Sequence, residues 1–212
     1  MVTERKNMND LYPLEFLSQN DLKMAILIKS IGSYSIQMHS DPFESLIKSI
    51  IYQQLSGKSA NAIYSRFINY FGGRFLSPDQ IISTSNEVFR TKVGLSSRKI
   101  EYIKDLSSKV YTKSLDLSLL PKMTDEEIIA ELIKVKGIGR WTAEMFLIFS
   151  LGRQDVIPLS DLGVRKAIKK LYGLQDLPDS KHILEISSNW KPFRSIATWY
   201  LWKSLANFDT IG

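Results

Sequence analysis

Two glycines bracket one apolar residue, as Gly137, Ile138 and Gly139, within the segment 132–143. Because glycine has no Cβ, the backbone at such a turn can approach a phosphate closely, and the ends of the flanking helices can help to hold the anion. The pattern favours a hairpin that grips a nucleic-acid backbone whatever its base sequence. The alternative is an ordinary turn between two helices, in which the glycines serve the turn alone.

Asp161 is a second residue whose type and place suggest chemistry. It follows Ser160 at the predicted start of a helix that continues to Gly173. Carboxylates at a helix N-terminus tend to stay ionised, because unpaired N–H groups and the helix dipole favour negative charge there. An ionised carboxylate that faces a cleft can stabilise a developing cation. The alternative is that Asp161 merely caps the helix.

The segments on both sides of the glycines must be helical for this hairpin to form. Thr124 and Glu127 have the spacing of a capping box, in which each side chain satisfies a backbone N–H of the other residue. We expect a helix from there to near Lys136, because Gly137 can take the left-handed conformation that follows a C-cap. A second helix is expected from about Arg140.

Apolar residues recur at helical spacing in nearly every other segment, whereas strand-like alternation is weak. Asp41 and Pro42 supply a cap and a first helical residue for a helix that we expect to end near 55–57. Another helix is expected to end before Gly72, and a third to begin near Ser97. The predicted fold class is all-α.

The composition limits the partners and cofactors. The chain has 212 residues, 44% of them hydrophobic, enough for one compact unit or two small lobes. Its formal charge of +6 suits an anionic partner. The absence of cysteine excludes disulfides and four-cysteine iron–sulfur clusters, and the two histidines, His39 and His182, are too few for a histidine-rich metal site.

No apolar run approaches the roughly 18 residues that span a bilayer, and the charged start of the chain is not followed by a signal-peptide core. We therefore expect an intracellular protein without a membrane partner, in the cytoplasm or nucleoid, or in the nucleus of a eukaryote.

Four segments, in the same order, resemble those of one family, the helix-hairpin-helix DNA glycosylases, and within it the 3-methyladenine DNA glycosylase II branch. The segments are DPFESLIKSIIYQQLSGKSA (41–60), VGLSSRKIEYIKDLS (93–107), KGIGRWTAEMFLIFSLGRQDVIPLSDLGVRK (136–166) and NWKPFRSIATWYLW (189–202).

The resemblance implies two helical lobes with an active-site cleft between them. One lobe would be continuous over residues 45–155 and would contain the helix-hairpin-helix motif at about 125–150. The other would be built from both chain ends, 1–44 and 156–212.

The implied activity is hydrolysis of the N-glycosidic bond of alkylated purines, of the 3-methyladenine and 7-methylguanine type, in base excision repair. The partner would be double-stranded DNA that contains damaged bases, bound by a monomer. Asp161 falls at the place of the family's catalytic aspartate, where it would stabilise a transition state that resembles an oxocarbenium ion. An alkylated purine is already cationic, so its departure requires no strong general acid and no cofactor.

Trp141 indicates whether DNA strands would also be cut. In bifunctional relatives a lysine two residues after the second hairpin glycine attacks C1′ and permits strand cleavage. Trp141 occupies that place here. We therefore expect a monofunctional enzyme without lyase activity.

The resemblance also implies a base pocket lined by Trp141, Trp202 and Tyr200, with Met145 where bacterial relatives have a tyrosine. Stacking of an indole on an electron-poor base would contribute about 1–3 kcal/mol. Each of these side chains could instead belong to the core.

Two sets of residues are expected to contact DNA. The turn 53–56 resembles the family's wedge loop, which fills the gap left by an extruded nucleotide. Gln54 or Leu55 is the candidate for insertion, although Leu55 could equally end the buried stripe of a helix. The hairpin would hold the phosphates. The full set is Gln53, Gln54, Leu55, Ser56, Lys136, Gly137, Gly139, Arg140 and Thr142.

A monovalent cation at the hairpin is a further implication of the resemblance. The backbone carbonyls of Ile133, Val135 and Ile138 would hold it, so that it bridges protein and phosphate without entering the chemistry.

Two other functions stay open from the sequence. One is a related glycosylase whose pocket accepts uracil, hypoxanthine or an oxidised base. The other is a non-catalytic DNA-binding protein that keeps the hairpin for recognition. Asp161 argues against the second, because a pure binder has no use for an anion that faces the negative charge of DNA.

Overall fold

The computed structural model describes residues 8–39, 41–73 and 77–205, and every regular element within those ranges is helical. The all-α prediction is thereby confirmed. In chain order the helices are α1 (Met8–Asn20), α2 (Leu22–Ile31), α3 (Pro42–Tyr52), α4 (Gly57–Tyr70), α5 (Pro78–Ser83), α6 (Asn86–Val88), α7 (Ser97–Tyr111), α8 (Asp125–Leu132), α9 (Arg140–Phe149), α10 (Leu162–Tyr172), α11 (Ser180–Ser187) and α12 (Arg194–Ser204). A π-helical turn, Phe89–Val93, continues α6.

The chain divides into two compact units. Among the described residues, the continuous unit is Met38–Leu151, and the split unit combines residues 8–37 with residues 152–205. The continuous unit therefore contains α3 to α9, and the split unit contains α1, α2 and α10 to α12.

The core of the continuous unit is built on α3. Asp41 accepts a hydrogen bond from the Glu44 amide at 2.9 Å and Pro42 begins the helix, as predicted. Residues at helical spacing on α3 are then buried against α4, α7 and α9. These are Phe43, Leu46, Ile47, Ile50 and Ile51.

One carboxylate of the split unit bonds to both pieces of the chain. Asp21 caps α2, where its Oδ1 accepts the amides of Lys23 and Met24. Its Oδ2 accepts the hydroxyl of Tyr172, at the end of α10, and the indole N–H of Trp190 at 2.9 Å. Asp21 thus joins segments from both pieces of the chain that form this unit.

Helix ends depart from the sequence-based bounds at two places. The helix before the hairpin ends at Leu132 and not near Lys136, because the next amides form tighter turns: Lys134 bonds to the Glu131 carbonyl and Val135 to that of Leu132. Similarly, α3 ends at Tyr52, before the expected 55–57.

Within the described ranges, no helix is both long and apolar enough to cross a membrane.

Candidate active site

The hairpin between α8 and α9 has the glycine conformation that its sequence predicts. Gly137 has φ +81°, in the left-handed region that favours glycine. The Ile138 amide donates to the Val135 carbonyl at 3.1 Å, and the Ile138 side chain is buried. Gly139 is the N-cap of α9, so the first-turn amides of this helix follow directly after the glycine pair.

Side chains of helix α7 contact the hairpin and support its turn. A Cβ built on Gly137 would lie 2.1 Å from Cδ2 of the Tyr102 ring, so the ring fills the space that any larger residue would need. Next to it, Asp105 accepts the Lys136 amide through Oδ2 at 2.9 Å. Two residues of α7 therefore fix the turn by which the hairpin would meet a phosphate.

Asp105 is held as an anion by its neighbours. Burial alone would raise its pKa, but the hydrogen bonds from Lys109 and from the Lys136 amide outweigh that effect and leave the pKa of Asp105 below its ordinary value. Lys109 reaches both carboxylate oxygens at 2.6 Å. The sequence-based reasoning missed Tyr102 and Asp105, although both lie in a segment that resembles the family.

The two hairpin cations expected at DNA are paired with carboxylates. Lys136 Nζ lies 2.7 Å from Glu101, and the hydrogen bond to Glu101 raises the pKa of Lys136. Arg140 binds both oxygens of Glu126, and its Nε lies 3.1 Å from Glu144. Their contact with phosphates stays a prediction, and it would require that these pairs open or share the cation.

The turn 53–56 is joined to the hairpin by a side chain. Gln53 Nε2 donates to the Gly137 carbonyl at 2.8 Å. Gln54 has φ +58°, a left-handed conformation that costs a non-glycine residue energy, and Leu55 is exposed. Ser56 is the N-cap of α4. In this turn, Gln53 is therefore an anchor to the hairpin, and Gln54 and Leu55 form an exposed tip.

Other predicted residues of the continuous unit differ in exposure. Trp141 is 38% exposed, whereas Met145 and Thr142 are buried. The indole of Trp141 is therefore partly accessible at the start of α9, and its stacking on a base stays a prediction. The Thr142 hydroxyl as a phosphate contact likewise stays a prediction.

Asp161 is the N-cap of α10, as its place in the sequence predicts. Its Oδ1 accepts the Val164 amide at 2.7 Å and also the indole Nε1–H of Trp202 at 3.0 Å. Trp202 lies on α12 and is only 2% exposed. Two donors from different helices therefore converge on one oxygen of this carboxylate.

Gly163 makes room for that arrangement. A Cβ at this residue would lie 3.0 Å from Asp161 Oδ1 and 3.2 Å from Trp202 Cδ1, tighter than ordinary contacts. Gly163 was not among the residues predicted for the site. The available signal was a glycine inside a helical pattern, which costs helix stability and therefore asks for a packing reason.

Tyr200, a predicted pocket residue, is fully buried in the split unit. Its hydroxyl donates to the Gly32 carbonyl at 2.6 Å. Burial, with a smaller contribution from Tyr34, raises the pKa of Tyr200 to about 12. The Tyr200 hydroxyl is therefore hydrogen-bonded to a backbone carbonyl of the same unit.

The carbonyls expected to hold a cation lie in the turn between α8 and Gly139. The Val135 carbonyl already accepts the Ile138 amide, but a carbonyl oxygen has a second lone pair. Oxygen ligands of this kind fit a hard monovalent cation. In the described ranges there is no group of three or more histidine, cysteine or acidic side chains arranged to hold a metal.

Comparison with known proteins identifies the family. The model of the HhH-GPD superfamily of base excision DNA repair proteins matches residues 47–192, which include the turn 53–56, the hairpin and Asp161. The chain belongs to this superfamily. The family resemblance drawn from the four sequence segments is thus confirmed.

Several relatives match this chain over most of their own length. DNA-3-methyladenine glycosylase 1 of Schizosaccharomyces pombe is 37% identical, with 89% of this chain and 84% of the relative covered. A solved structure of the S. pombe 3-methyladenine DNA glycosylase with abasic DNA matches with a TM-score of 0.81 and 36% identity, over 91% of this chain and 96% of that one. A DNA-3-methyladenine glycosidase from Bacillus halodurans gives 0.83 and 38%, over 92% and 90%.

Proposed function

We propose that this chain is a monofunctional DNA glycosylase of the 3-methyladenine DNA glycosylase II type. It would hydrolyse the N-glycosidic bond of alkylated purines in double-stranded DNA and leave an intact abasic site. Support comes from the superfamily match and from relatives whose names specify 3-methyladenine. The observation that carries the proposal is the Asp161 carboxylate, held at the N-terminus of α10 by two hydrogen bonds.

Asp161 would act on the sugar. Breaking the bond between base and deoxyribose leaves positive charge on C1′ and the ring oxygen, and a fixed carboxylate lowers the energy of that charge electrostatically. The same carboxylate can orient the water that attacks C1′. The alkylated base carries its own positive charge, so it leaves as a neutral molecule without a proton from the protein.

The other elements would bind and hold the DNA. The backbone at Gly137 and Gly139 would grip a phosphate, and the exposed tip at Gln54 and Leu55 would fill the gap left by the extruded nucleotide. A monovalent cation at the carbonyls of the turn before Gly139 would supply charge between hairpin and phosphate. Trp141 stands where a lyase would have its lysine, so no amine attacks C1′ from that place.

Release of free bases tests the proposal. Methylated duplex DNA is incubated with the protein, and the released bases are identified by chromatography. We expect 3-methyladenine and 7-methylguanine, with release by the Asp161→Asn variant lower by about 100-fold or more. The variant's affinity for undamaged duplex should persist or improve, since an anion has been removed.

Equal release by the variant and the parent would exclude Asp161 as the catalytic group. Duplexes that carry uracil, hypoxanthine or 8-oxoguanine identify a different base preference. Borohydride treatment during the reaction distinguishes the two mechanisms, because a trapped protein–DNA adduct would show an amine nucleophile and exclude a monofunctional enzyme.

A further inference from the structure

The carboxylate of Asp161 is oriented by more than its own helix. The Val164 amide is the donor that any N-cap residue receives, and it reaches Oδ1 at 2.7 Å. The second donor, Trp202 Nε1 at 3.0 Å, comes from α12, which packs against α10. An indole N–H can only donate, so Trp202 is the donor and the Asp161 carboxylate the acceptor of this bond.

Burial prevents this donor from moving away. Trp202 is 2% exposed, and α12 is buried along most of its length. A large ring in a close-packed interior has no other rotamer available without displacing its neighbours. The direction of the N–H bond is therefore set by the packing of α12, and the carboxylate is aligned to it.

Gly163 leaves the space in which Asp161 and Trp202 form their hydrogen bond. The contacts of a Cβ at this residue, 3.0 Å to Asp161 Oδ1 and 3.4 Å to Trp202 Nε1, fall on both ends of the hydrogen bond. Gly163 lies inside α10 without a positive φ, so its backbone does not require glycine. Glycine is required at residue 163 because a larger side chain would crowd Asp161 and Trp202.

We infer that Trp202 and Gly163 are positioning residues for Asp161: the indole N–H of Trp202 orients the catalytic carboxylate, and the missing Cβ of Gly163 lets the two groups meet. This inference rests on the proposed function, and it assigns Trp202 a role through its nitrogen that is separate from any stacking by its ring. Orientation of a reacting group within a fraction of an ångström affects the rate far more than it affects substrate binding.

Trp202→Phe tests the role of the nitrogen, because phenylalanine keeps an aromatic ring and removes the N–H. We expect the single-turnover rate of base release to fall about tenfold or more, while the Kd for undamaged duplex stays within about twofold. Trp190→Phe is the matched control. Trp190 is also fully buried in the split unit and donates its Nε1–H to a carboxylate, Asp21, at 2.9 Å.

The control separates catalysis from folding. Loss of a buried indole donor should lower the thermal stability of both variants, but only Trp202→Phe should lose base release at a temperature where both are folded. Parental release by Trp202→Phe, or an equal loss in both variants, overturns the inference.

Gly163→Ala tests the space between the two groups. Alanine is the better helix former, so a purely structural position inside α10 would give a variant at least as stable as the parent, with unchanged activity. We expect instead that base release falls about fivefold or more at a temperature where the variant is fully folded. Unchanged release by this variant overturns the role assigned to Gly163.

The hydrogen bond itself can be measured apart from activity. Indole ¹⁵N–¹H signals are assigned by the loss of one signal in each tryptophan variant. We expect Asp161→Ala to shift the Trp202 signal and to leave the Trp190 signal in place. An unshifted Trp202 signal overturns the inference. A parent protein that releases no base while the Trp202 signal still shifts overturns the proposed function and the catalytic role of the alignment, but not the hydrogen bond itself.

Discussion

The polar tips of Tyr200 and Trp202 serve different partners, although the two residues are close in sequence. The Tyr200 hydroxyl donates to the Gly32 carbonyl, and the Trp202 indole donates to Asp161. Both side chains are buried, so burial alone does not distinguish a structural from a functional aromatic residue. The hydrogen-bond acceptors distinguish the two residues, because only Trp202 donates to a candidate catalytic group.

Tyr200→Phe should therefore affect stability and not chemistry. The variant removes the hydrogen bond from the Tyr200 hydroxyl to the Gly32 carbonyl, which costs about 0.5–1.5 kcal/mol of unfolding free energy. Urea denaturation at neutral pH measures this loss, and base release should stay within about threefold of the parent. If release falls sharply while stability is retained, Tyr200 belongs to the base pocket that the family resemblance implies.

At the scale of elements, the hairpin depends on a helix that is distant in sequence. Tyr102 fills the space beside Gly137, Asp105 binds the Lys136 amide, and Gln53 binds the Gly137 carbonyl. The turn is therefore held from two sides by side chains of α7 and of the segment after α3. Its shape does not rest on the glycines alone.

Alanine substitutions at the two hairpin glycines should have different effects. Gly137→Ala places a methyl group 2.1 Å from the Tyr102 ring at a φ of +81°, so we expect losses of both stability and duplex affinity. At Gly139 a Cβ meets nothing within 4 Å, and the φ of −97° suits alanine. Gly139→Ala should keep the parental melting temperature and weaken duplex binding alone, by crowding the phosphate.

Thermal melting and fluorescence titration with duplex DNA measure these two effects. The predicted difference between the two variants would be wrong if Gly137→Ala had the melting temperature of the parent. Parental duplex affinity in Gly139→Ala would show that a close backbone approach at Gly139 is not needed.

Asp105 should make the stability of the hairpin depend on pH. Its pKa in the folded protein lies below the ordinary value, because the hydrogen bonds from Lys109 and the Lys136 amide outweigh the effect of burial. The unfolded chain therefore takes up a proton at higher pH than the folded one. The stability that Asp105 contributes is complete above its ordinary pKa and is lost as the pH falls through its folded pKa.

Asp105→Asn should accordingly be less stable than the parent at pH 7, and the difference should shrink on acidification. Urea unfolding of both proteins between pH 7 and pH 3 measures the difference in unfolding free energy. A difference that stays constant or grows at low pH would contradict the assigned role of the carboxylate.

Local patterns predict the elements well in this chain, and the site residues that were missed depend on tertiary contacts. The Thr124 and Glu127 capping box, the Asp41 cap and the Asp161 cap depend on neighbours within four residues, and the structure has all three. By contrast, the contact of Tyr102 with Gly137 joins α7 to the turn between α8 and α9, which no local pattern reveals. The pairing of Lys136 with Glu101 was missed for the same reason.

For the molecule as a whole, the formal charge of +6 predicts binding to polyanions that depends on salt. If basic groups neutralise phosphates, the logarithm of duplex affinity should fall linearly with the logarithm of salt concentration, with a slope of about −0.9 for each phosphate contacted. Titrations of undamaged duplex at several salt concentrations measure this slope. A flat response would exclude DNA phosphates as the ligand.

A pair of variants tests whether Lys136 contributes to that slope. Its ammonium is paired with Glu101 in the structure. Lys136→Gln should make the slope less negative by about 0.9, whereas Glu101→Gln should raise affinity by releasing the cation. Identical slopes for the parent and Lys136→Gln would remove this residue from the predicted phosphate contacts.

The bonds of Asp21 have a consequence for how the protein is made. Its Trp190 partner lies 169 positions further along the chain. At about 5–20 residues per second, a ribosome delivers that partner roughly 8 to 34 seconds later. The stretch Met38–Leu151 is complete by then, while the apolar sides of α1 and α2 still await the last helices. Translation speed and chaperone supply should therefore influence the yield of the split unit more than that of the continuous one.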